Sequence, residues 1–137
     1  MKAYLRFYVY NENRLLYIPQ MVDEGINVTT EFVDDRIEFY INNSKTHTMT
    51  GSGIHLDGKR VYECDFLRFP DESVYRVSYH NIFILTNIRD CSIKSFNKKT
   101  LMDATILGNK YTRPELEEIF KINNDKRKRT QRPDNNS

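Results

Sequence analysis

The sequence DGKRVYECDF at residues 57–66, preceded by Thr50-Gly51, and the sequence ILGNKYTRPEL at residues 106–116 decide the fold. The first stretch is an Asp-Gly turn followed by alternating apolar and polar residues, a pattern that is typical of a strand. The second places an apolar run and a Gly-Asn turn before Thr112 and Glu115, which have the spacing of a helix capping box. We therefore expect a turn and a strand in the first stretch, and a strand, a turn and a helix in the second.

Alternation of apolar and polar residues predicts several other short strands. Tight turns separate them, and we expect a loop around Gly51-Ser52-Gly53. The helix that starts at Thr112 is expected to pack against the sheet and to end near Asn123. This pattern favours a mainly β fold, a small antiparallel barrel or sandwich with one C-terminal helix. The predicted strands cover residues 3–10, 15–18, 37–41, 61–69, 73–79, 82–87, 91–96 and 103–107.

Length and composition favour one soluble globular domain. The chain has 137 residues, of which 39% are apolar and 29% are charged, so a single modest core fits its size. We assign residues 1–124 to this domain and residues 125–137 to a flexible tail. The first ten residues lack the long apolar run of a signal peptide or a membrane span. Cys64 and Cys91 are too few for a disulfide framework, which favours a cytoplasmic protein with free thiols.

Three linked motifs resemble the YopX-like proteins, a family of small proteins of bacteriophages and prophages. The sequences LRFYVYN and RLLY within residues 5–17 are similar to the first strand of the family and its hydrophobic return. The stretches at residues 50–66 and 106–116 are similar to the central and closing signatures. The chain departs from the pattern at Cys64, where the family has a glycine that would permit a bulge or a backbone turn.

The resemblance implies a β-rich fold that contains an SH3-like barrel with an additional N-terminal β element. It also implies a phage origin and action inside a bacterial host. It carries over no established catalytic activity, because the signature residues look architectural. The basic C-terminal tail lies outside the family pattern.

The net charge of +2 is unevenly distributed. Residues 121–137 carry six basic and two acidic side chains, and the rest of the chain has a net charge of −2. Clustered Lys and Arg neutralise phosphates without reading sequence, so the tail is a candidate surface for nucleic acid or an acidic partner. A solvated chain end is the alternative. The candidate residues are Lys126, Arg127, Lys128, Arg129 and Arg132.

Two other surfaces are candidates for protein contacts. The polar face of the N-terminal strand combines aromatic rings with one Arg, which suits stacking or self-association. Coverage by a second layer or a second subunit is the alternative. An acidic run with few nearby positive charges would attract a basic partner. The aromatic face comprises Tyr4, Arg6, Tyr8 and Tyr10, and the acidic run comprises Asp23, Glu24, Glu31, Asp34, Asp35 and Glu38.

Catalytic, metal and cofactor sites find little support in the sequence. Cys64 with His55 or His80 would need spatial adjacency and a low thiol pKa to act as a nucleophile and base. Glu63 and Asp65 share one face of a predicted strand, and we expect that face to be exposed. The His and Cys spacings do not match a zinc site, and no glycine-rich phosphate loop precedes a helix. We predict no catalytic residue, no metal and no cofactor.

We expect a non-enzymatic, phage-encoded binding protein that acts in the host cytoplasm through protein–protein contacts. It would form a homo-oligomer, bind an unidentified host protein and not enter a membrane. Two alternatives stay open. The first is nucleic-acid binding by the basic tail and the aromatic face. The second is a counter-defence protein that blocks a basic host surface or sequesters a nucleotide signal.

Overall fold

The structure, a computed structural model, describes residues 4–17 and 24–131. These residues form eleven strands and two helices in two antiparallel sheets with one long C-terminal helix, which confirms the mainly β class. The strands are β1 (Tyr4–Val9), β2 (Arg14–Tyr17), β3 (Val28–Val33), β4 (Arg36–Ile41), β5 (Ser44–Leu56), β6 (Lys59–Tyr62), β7 (Asp65–Arg68), β8 (Val74–Tyr79), β9 (Phe83–Asn87), β10 (Ile93–Ser95) and β11 (Thr105–Asn109). The helices are α1 (Lys98–Leu101) and α2 (Pro114–Gln131).

The chain divides into two compact units, residues 1–51 and residues 52–137. Each unit has its own cluster of buried apolar side chains. The boundary lies inside β5, which carries the chain from the first unit into the second. The domain predicted over residues 1–124 includes residues of both units.

The first unit is built on a sheet with the strand order β2-β1-β5-β4-β3. β1 pairs with β2 on one side and with β5 on the other. Its alternate residues Phe7 and Val9 are buried with Leu16 and Ile41, as the period of two in a strand requires. The apolar face that the sequence predicts for the N-terminal strand is therefore the core of this unit.

The second unit contains β6, which pairs with β5, and a separate sheet with the order β10-β9-β8-β7-β11. The expected turn at Asp57-Gly58 is confirmed, because both residues have positive φ, 50° and 75°. Within the described residues neither sheet closes on itself, since β10 and β11 end the second sheet without pairing with each other. Closure of a barrel requires its first and last strands to pair, so the SH3-like barrel is not confirmed. The main core contains Val61, Leu67, Phe69, Tyr75, Val77, Leu85 and Leu101.

The loop expected around Gly51-Ser52-Gly53 is wrong, because these residues lie within the 13-residue strand β5. The buried Ser52 hydroxyl donates to the carbonyl of Val61 at 2.8 Å and accepts the N–H of Ile54 at 3.2 Å. Pairing with neighbouring strands thus overrides the weak strand propensity of glycine. β3 was also not predicted.

The strand expected at residues 61–69 is interrupted at Cys64, which separates β6 from β7. Cys64 has a φ of 71°, a left-handed conformation that a residue with a Cβ adopts at a cost. Its N–H donates to the carbonyl of Val77 at 2.8 Å, and its carbonyl accepts the N–H of Lys110 at 3.0 Å. These two hydrogen bonds hold the backbone turn that a glycine would permit without strain.

The interruption also changes the environment of Asp65. The expectation that its carboxylate lies on an exposed strand face is wrong, because Asp65 is only 2% exposed. Its Oδ2 accepts the N–H of Tyr62 at 2.8 Å. The left-handed residue between them breaks the alternation of inward and outward side chains, and a buried carboxylate then satisfies a backbone donor at the break.

The start of α2 differs in detail from the predicted capping box. Asn109 organises the preceding turn, since its Oδ1 accepts two backbone N–H groups, including that of Thr112 at 3.1 Å. The Thr112 hydroxyl accepts the N–H of Asn109 at 2.9 Å, and the helix begins at Pro114. The carboxylate of Glu115 accepts a hydrogen bond from the Arg113 side chain. Thr112 therefore stabilises the turn rather than pairing with Glu115.

The expected helix end near Asn123 is wrong, because α2 continues to Gln131. Leu116, Ile119 and Phe120 pack with a buried cluster of the second sheet. The amide of Asn123 donates to the carbonyl of Ile88 at 2.9 Å, so this residue attaches the helix to the sheet instead of ending it. Residues 125–131, assigned to a flexible tail from composition, are helical.

A largely buried ion pair fixes α2 on the second sheet. Arg76 Nε and Nη2 donate to the two carboxylate oxygens of Glu117 at 2.7 and 3.1 Å, and the two side chains are 14% and 9% exposed. The Arg76 guanidinium also lies 4.8 Å from the ring centroid of Phe120 and donates to Cys64 Sγ at 3.5 Å. A bidentate pair of this kind admits one relative orientation of its two side chains, so it sets the rotation of α2 about its axis.

Removal of one partner of this ion pair should lower the free energy of unfolding more than replacement of both partners by apolar residues. We expect Glu117→Leu to lower the free energy of unfolding by about 3 kcal/mol, because the guanidinium stays buried without its carboxylate. The double variant Arg76→Met/Glu117→Leu should lose less, because it leaves no buried charge. Urea denaturation followed by circular dichroism measures both. A double variant less stable than Glu117→Leu would contradict this account.

The backbone at Cys64 gives a second prediction. Cys64→Gly and Cys64→Ala both remove the thiol, but alanine keeps the left-handed strain. We expect the glycine variant to be more stable than the alanine variant by about 1 kcal/mol. The midpoints of urea unfolding compare the two directly. Equal midpoints, or a more stable alanine variant, would show that the positive φ carries no penalty.

Candidate functional site

The β3–β4 hairpin, residues 28–41, is called the acidic arm below. Its two-residue turn is Asp34-Asp35, with φ of 50° and 64°, the conformation of a type I′ turn. β4 pairs with β5 only through Tyr40 and Ile41. The turn end of the arm therefore extends beyond this ladder, with no other strand paired to it among the described residues.

The arm presents an apolar pair near its turn. Phe32 and Ile37 lie directly opposite each other and are 83% and 51% exposed. The next residue pairs on this face are Thr30 with Phe39 and Val28 with Ile41, and Ile41 is fully buried. One apolar face thus runs from the core of the first unit to an uncovered end. Covering Phe32 with a partner would contribute about 2 kcal/mol.

Carboxylates lie in the turn beside this apolar pair and on the opposite face of the hairpin. Glu31 and Glu38 lie directly opposite each other in the hairpin, an arrangement of like charges that is unfavourable. The Tyr40 hydroxyl donates to Glu38 Oε2 at 3.1 Å, and this hydrogen bond raises the pKa of Tyr40. The arm has a net charge of −3, from Glu31, Asp34, Asp35 and Glu38 against Arg36.

No strand of the described residues pairs with the outer side of β3. In a turn of this type the carbonyl of Val33 accepts the N–H of Arg36. The backbone N–H and C=O groups of successive residues in an antiparallel strand point alternately toward and away from the partner strand. The N–H of Asn42 donates to the carbonyl of Asn27 at 3.1 Å, which fits the same alternation at the other end of the hairpin. The N–H and C=O groups of Val28, Thr30 and Phe32 therefore point away from β4. An edge strand of this kind accepts a strand from another protein.

The structure brings four residues of the predicted acidic run together in the arm, namely Glu31, Asp34, Asp35 and Glu38. Glu24 precedes the arm and forms an ion pair with Arg14 at 3.5 Å. Asp23 lies outside the described residues. The apolar pair was missed because β3 was not predicted, since Thr30 interrupts the apolar alternation between Val28 and Phe32. The two consecutive Asp residues were the available signal for a hairpin turn.

The predicted aromatic face of β1 is not a continuous surface. Arg6 is 3% exposed, and its Nε donates to Met49 Sδ at 3.3 Å. Tyr4 and Tyr8 are half-buried, and Tyr10 is the exposed member, with its ring edge-to-face against Tyr8 at 5.4 Å. The structure corrects this candidate site, because Arg6 lies inside the first unit.

The basic residues predicted for a tail lie on α2. Residues 121–129 are called the basic helix end below; Lys126, Lys128 and Arg129 are exposed in it. Arg127 is half-buried, and its Nη2 donates to the side chain of Asn124 at 3.4 Å. Ile122 on the same helix is 48% exposed. Arg132 lies outside the described residues.

Cys64, the candidate nucleophile, is buried. Burial raises the pKa of the Cys64 thiol, which keeps it in the weakly nucleophilic neutral form. His55 and His80 are exposed residues. No group of three or more His, Cys, Asp or Glu side chains within residues 4–17 and 24–131 is placed to hold a metal ion. The same part of the chain contains no helix with the length and apolar character of a membrane span.

Two shallow depressions lie on the surface of the second unit. One, of about 330 Å³, lies between the turns at residues 71–74 and 87–90 and α2. Its Asp71 and Asp90 carboxylates accept hydrogen bonds from Ser73 and Ser92, which lower their pKa values. The second, of about 340 Å³, lies beside α2 and includes Lys110 and Glu117. The carboxylates of Asp71 and Asp90 are engaged in turns, and that of Glu117 is engaged in the ion pair with Arg76.

Comparison with known proteins supports the fold. No profile of a protein family matches the sequence, and no curated protein matches it. The structure is similar to the crystal structure of the protein YopX from Bacillus subtilis, with a TM-score of 0.52 and 18% sequence identity. The similarity covers 85% of this chain and 98% of YopX. The resemblance to YopX-like proteins is thus confirmed at the level of the fold.

Proposed function

We propose that this chain is a non-enzymatic binding protein that contacts another protein through its acidic arm. The observation that carries the proposal is Phe32, 83% exposed and directly opposite the exposed Ile37 at the uncovered end of the hairpin. An exposed aromatic anchor beside charged residues, here the turn Asp34-Asp35, is typical of a protein–protein interface, where a partner buries the ring and the charges lie at the rim.

The charge of the arm supports a partner with a basic surface. Glu31 and Glu38 lie opposite each other in the hairpin, and like charges in this position repel each other. A partner with a positive surface would relieve this repulsion and increase the rate of association. The YopX-like resemblance adds a phage origin and action in the host cytoplasm to the proposal. Blocking a basic surface of a host protein is one form that this binding function takes.

Removing the aromatic anchor tests the proposal. We expect Phe32→Ser to weaken partner binding by about tenfold or more, since the ring contributes about 2 kcal/mol when it is buried. Native mass spectrometry of the untagged protein, purified gently from bacterial cytosol, shows the bound partner, whether another protein or a second copy of this chain. The matched control is Ile82→Ser, which changes a 66% exposed residue of the second unit. Equal occupancy in the wild-type protein and both variants would contradict the role of the arm.

Nucleic-acid binding is a second candidate, favoured by the exposed Lys126, Lys128 and Arg129 on one helix. If it operates, the affinity for a single-stranded oligonucleotide should fall steeply with salt. The variant Lys126→Gln/Arg129→Gln should then reduce the slope of log affinity against log salt by about 1.5. Fluorescence anisotropy across a salt series measures this slope. A slope that the two substitutions leave unchanged would exclude these residues as phosphate contacts.

A further inference from the structure

Two exposed surfaces among the described residues carry opposite charge. The acidic arm has a net charge of −3, and the basic helix end has a net charge of +4. Both surfaces also expose apolar side chains, Phe32 and Ile37 on the arm and Ile122 on α2. The two surfaces are therefore complementary in charge, and each has apolar area that a contact would bury.

The arrangement on α2 suits this match. Ile122, Lys126 and Arg129 are spaced at i, i+4 and i+7, so they lie along one face of the helix. Ile122 is 48% exposed, and Lys126 and Arg129 are exposed too. On the arm, the apolar pair is likewise followed by charge, since Asp34-Asp35 forms the adjoining turn. An apolar contact beside a row of opposite charges can form in one docked orientation.

We propose that the acidic arm of one copy docks on the basic helix end of a second copy, so that the chain associates head to tail. This inference rests on the proposed function of the arm as a protein-binding element. Contacts between two arms or between two helix ends would place like charges together, which disfavours them. An arm-to-helix contact joins two different surfaces, and repetition of such a contact closes a ring or continues as a filament.

Paired variants test this geometry in the full-length protein. The arm variant combines Phe32→Ser with Asp34→Asn and Asp35→Gly, which remove the ring and two charges while keeping residues that favour a type I′ turn. The helix variant combines Lys126→Gln with Arg129→Gln. We expect each variant alone to self-associate at least about tenfold more weakly than the wild-type protein in sedimentation velocity at low salt. Circular dichroism verifies that each variant is folded.

Mixing the two variants is the decisive measurement. The helix variant retains an intact arm and the arm variant retains an intact helix end, so the mixture should form a 1:1 dimer that does not grow further. Native mass spectrometry resolves this dimer, because the two variants differ in mass. The matched control is Ile82→Ser/Lys98→Gln/Lys99→Gln, which removes one exposed apolar residue and two basic residues elsewhere in the second unit. This control should assemble as the wild-type protein does.

The results separate this inference from the proposed function. A mixture that stays monomeric, or an arm variant that assembles normally, would overturn the head-to-tail contact. A wild-type protein that is monomeric at low salt, yet loses a bound protein on Phe32→Ser, would overturn the self-association and leave the binding function standing. A monomer with no Phe32-dependent partner would overturn both.

Discussion

The ion pair between Arg76 and Glu117 is the contact on which the second unit depends. Its two hydrogen bonds, 2.7 and 3.1 Å long, join β8 to the first turns of α2 in a nearly buried environment. Desolvation makes either charge costly alone, so the pair forms only when helix and sheet meet in one orientation. The same guanidinium contacts Phe120 and Cys64. It thus connects the helix, the sheet and the left-handed turn between β6 and β7.

The acidic arm and the basic helix end share a physical property. Each forms backbone hydrogen bonds within itself, in the ladder between β3 and β4 in one case and along the helix in the other. Their side chains therefore need no cover from the rest of the chain, and Phe32, Ile37 and Ile122 stay exposed. An element with its own backbone hydrogen bonds and exposed apolar side chains is suited to contact another molecule.

The fold was predictable where a strand has one apolar and one polar face. Four strands lie within about one or two residues of their predicted positions, namely β1, β2, β8 and β9. Alternation of apolar and polar residues is typical of a half-buried strand, so it indicated these positions. β3 was not predicted because Thr30 interrupts its apolar alternation. The centre of β5 was not predicted because glycine has a weak strand propensity and is held in the strand by its neighbours. Of the candidate site, the carboxylates were predictable as an acidic run, but their place in a hairpin that exposes Phe32 was not.

The sequence by itself determined the mainly β class, the Asp-Gly turn, the helix that follows Asn109 and the resemblance to YopX-like proteins. These features depend on local backbone preferences and on motif order, which a linear sequence records. Only the tertiary structure decided that Arg6 and Asp65 are buried and that Phe32 is exposed. The burial of a side chain depends on what packs against it from distant parts of the chain. Charge and polarity alone indicated the opposite outcome for Arg6 and Asp65.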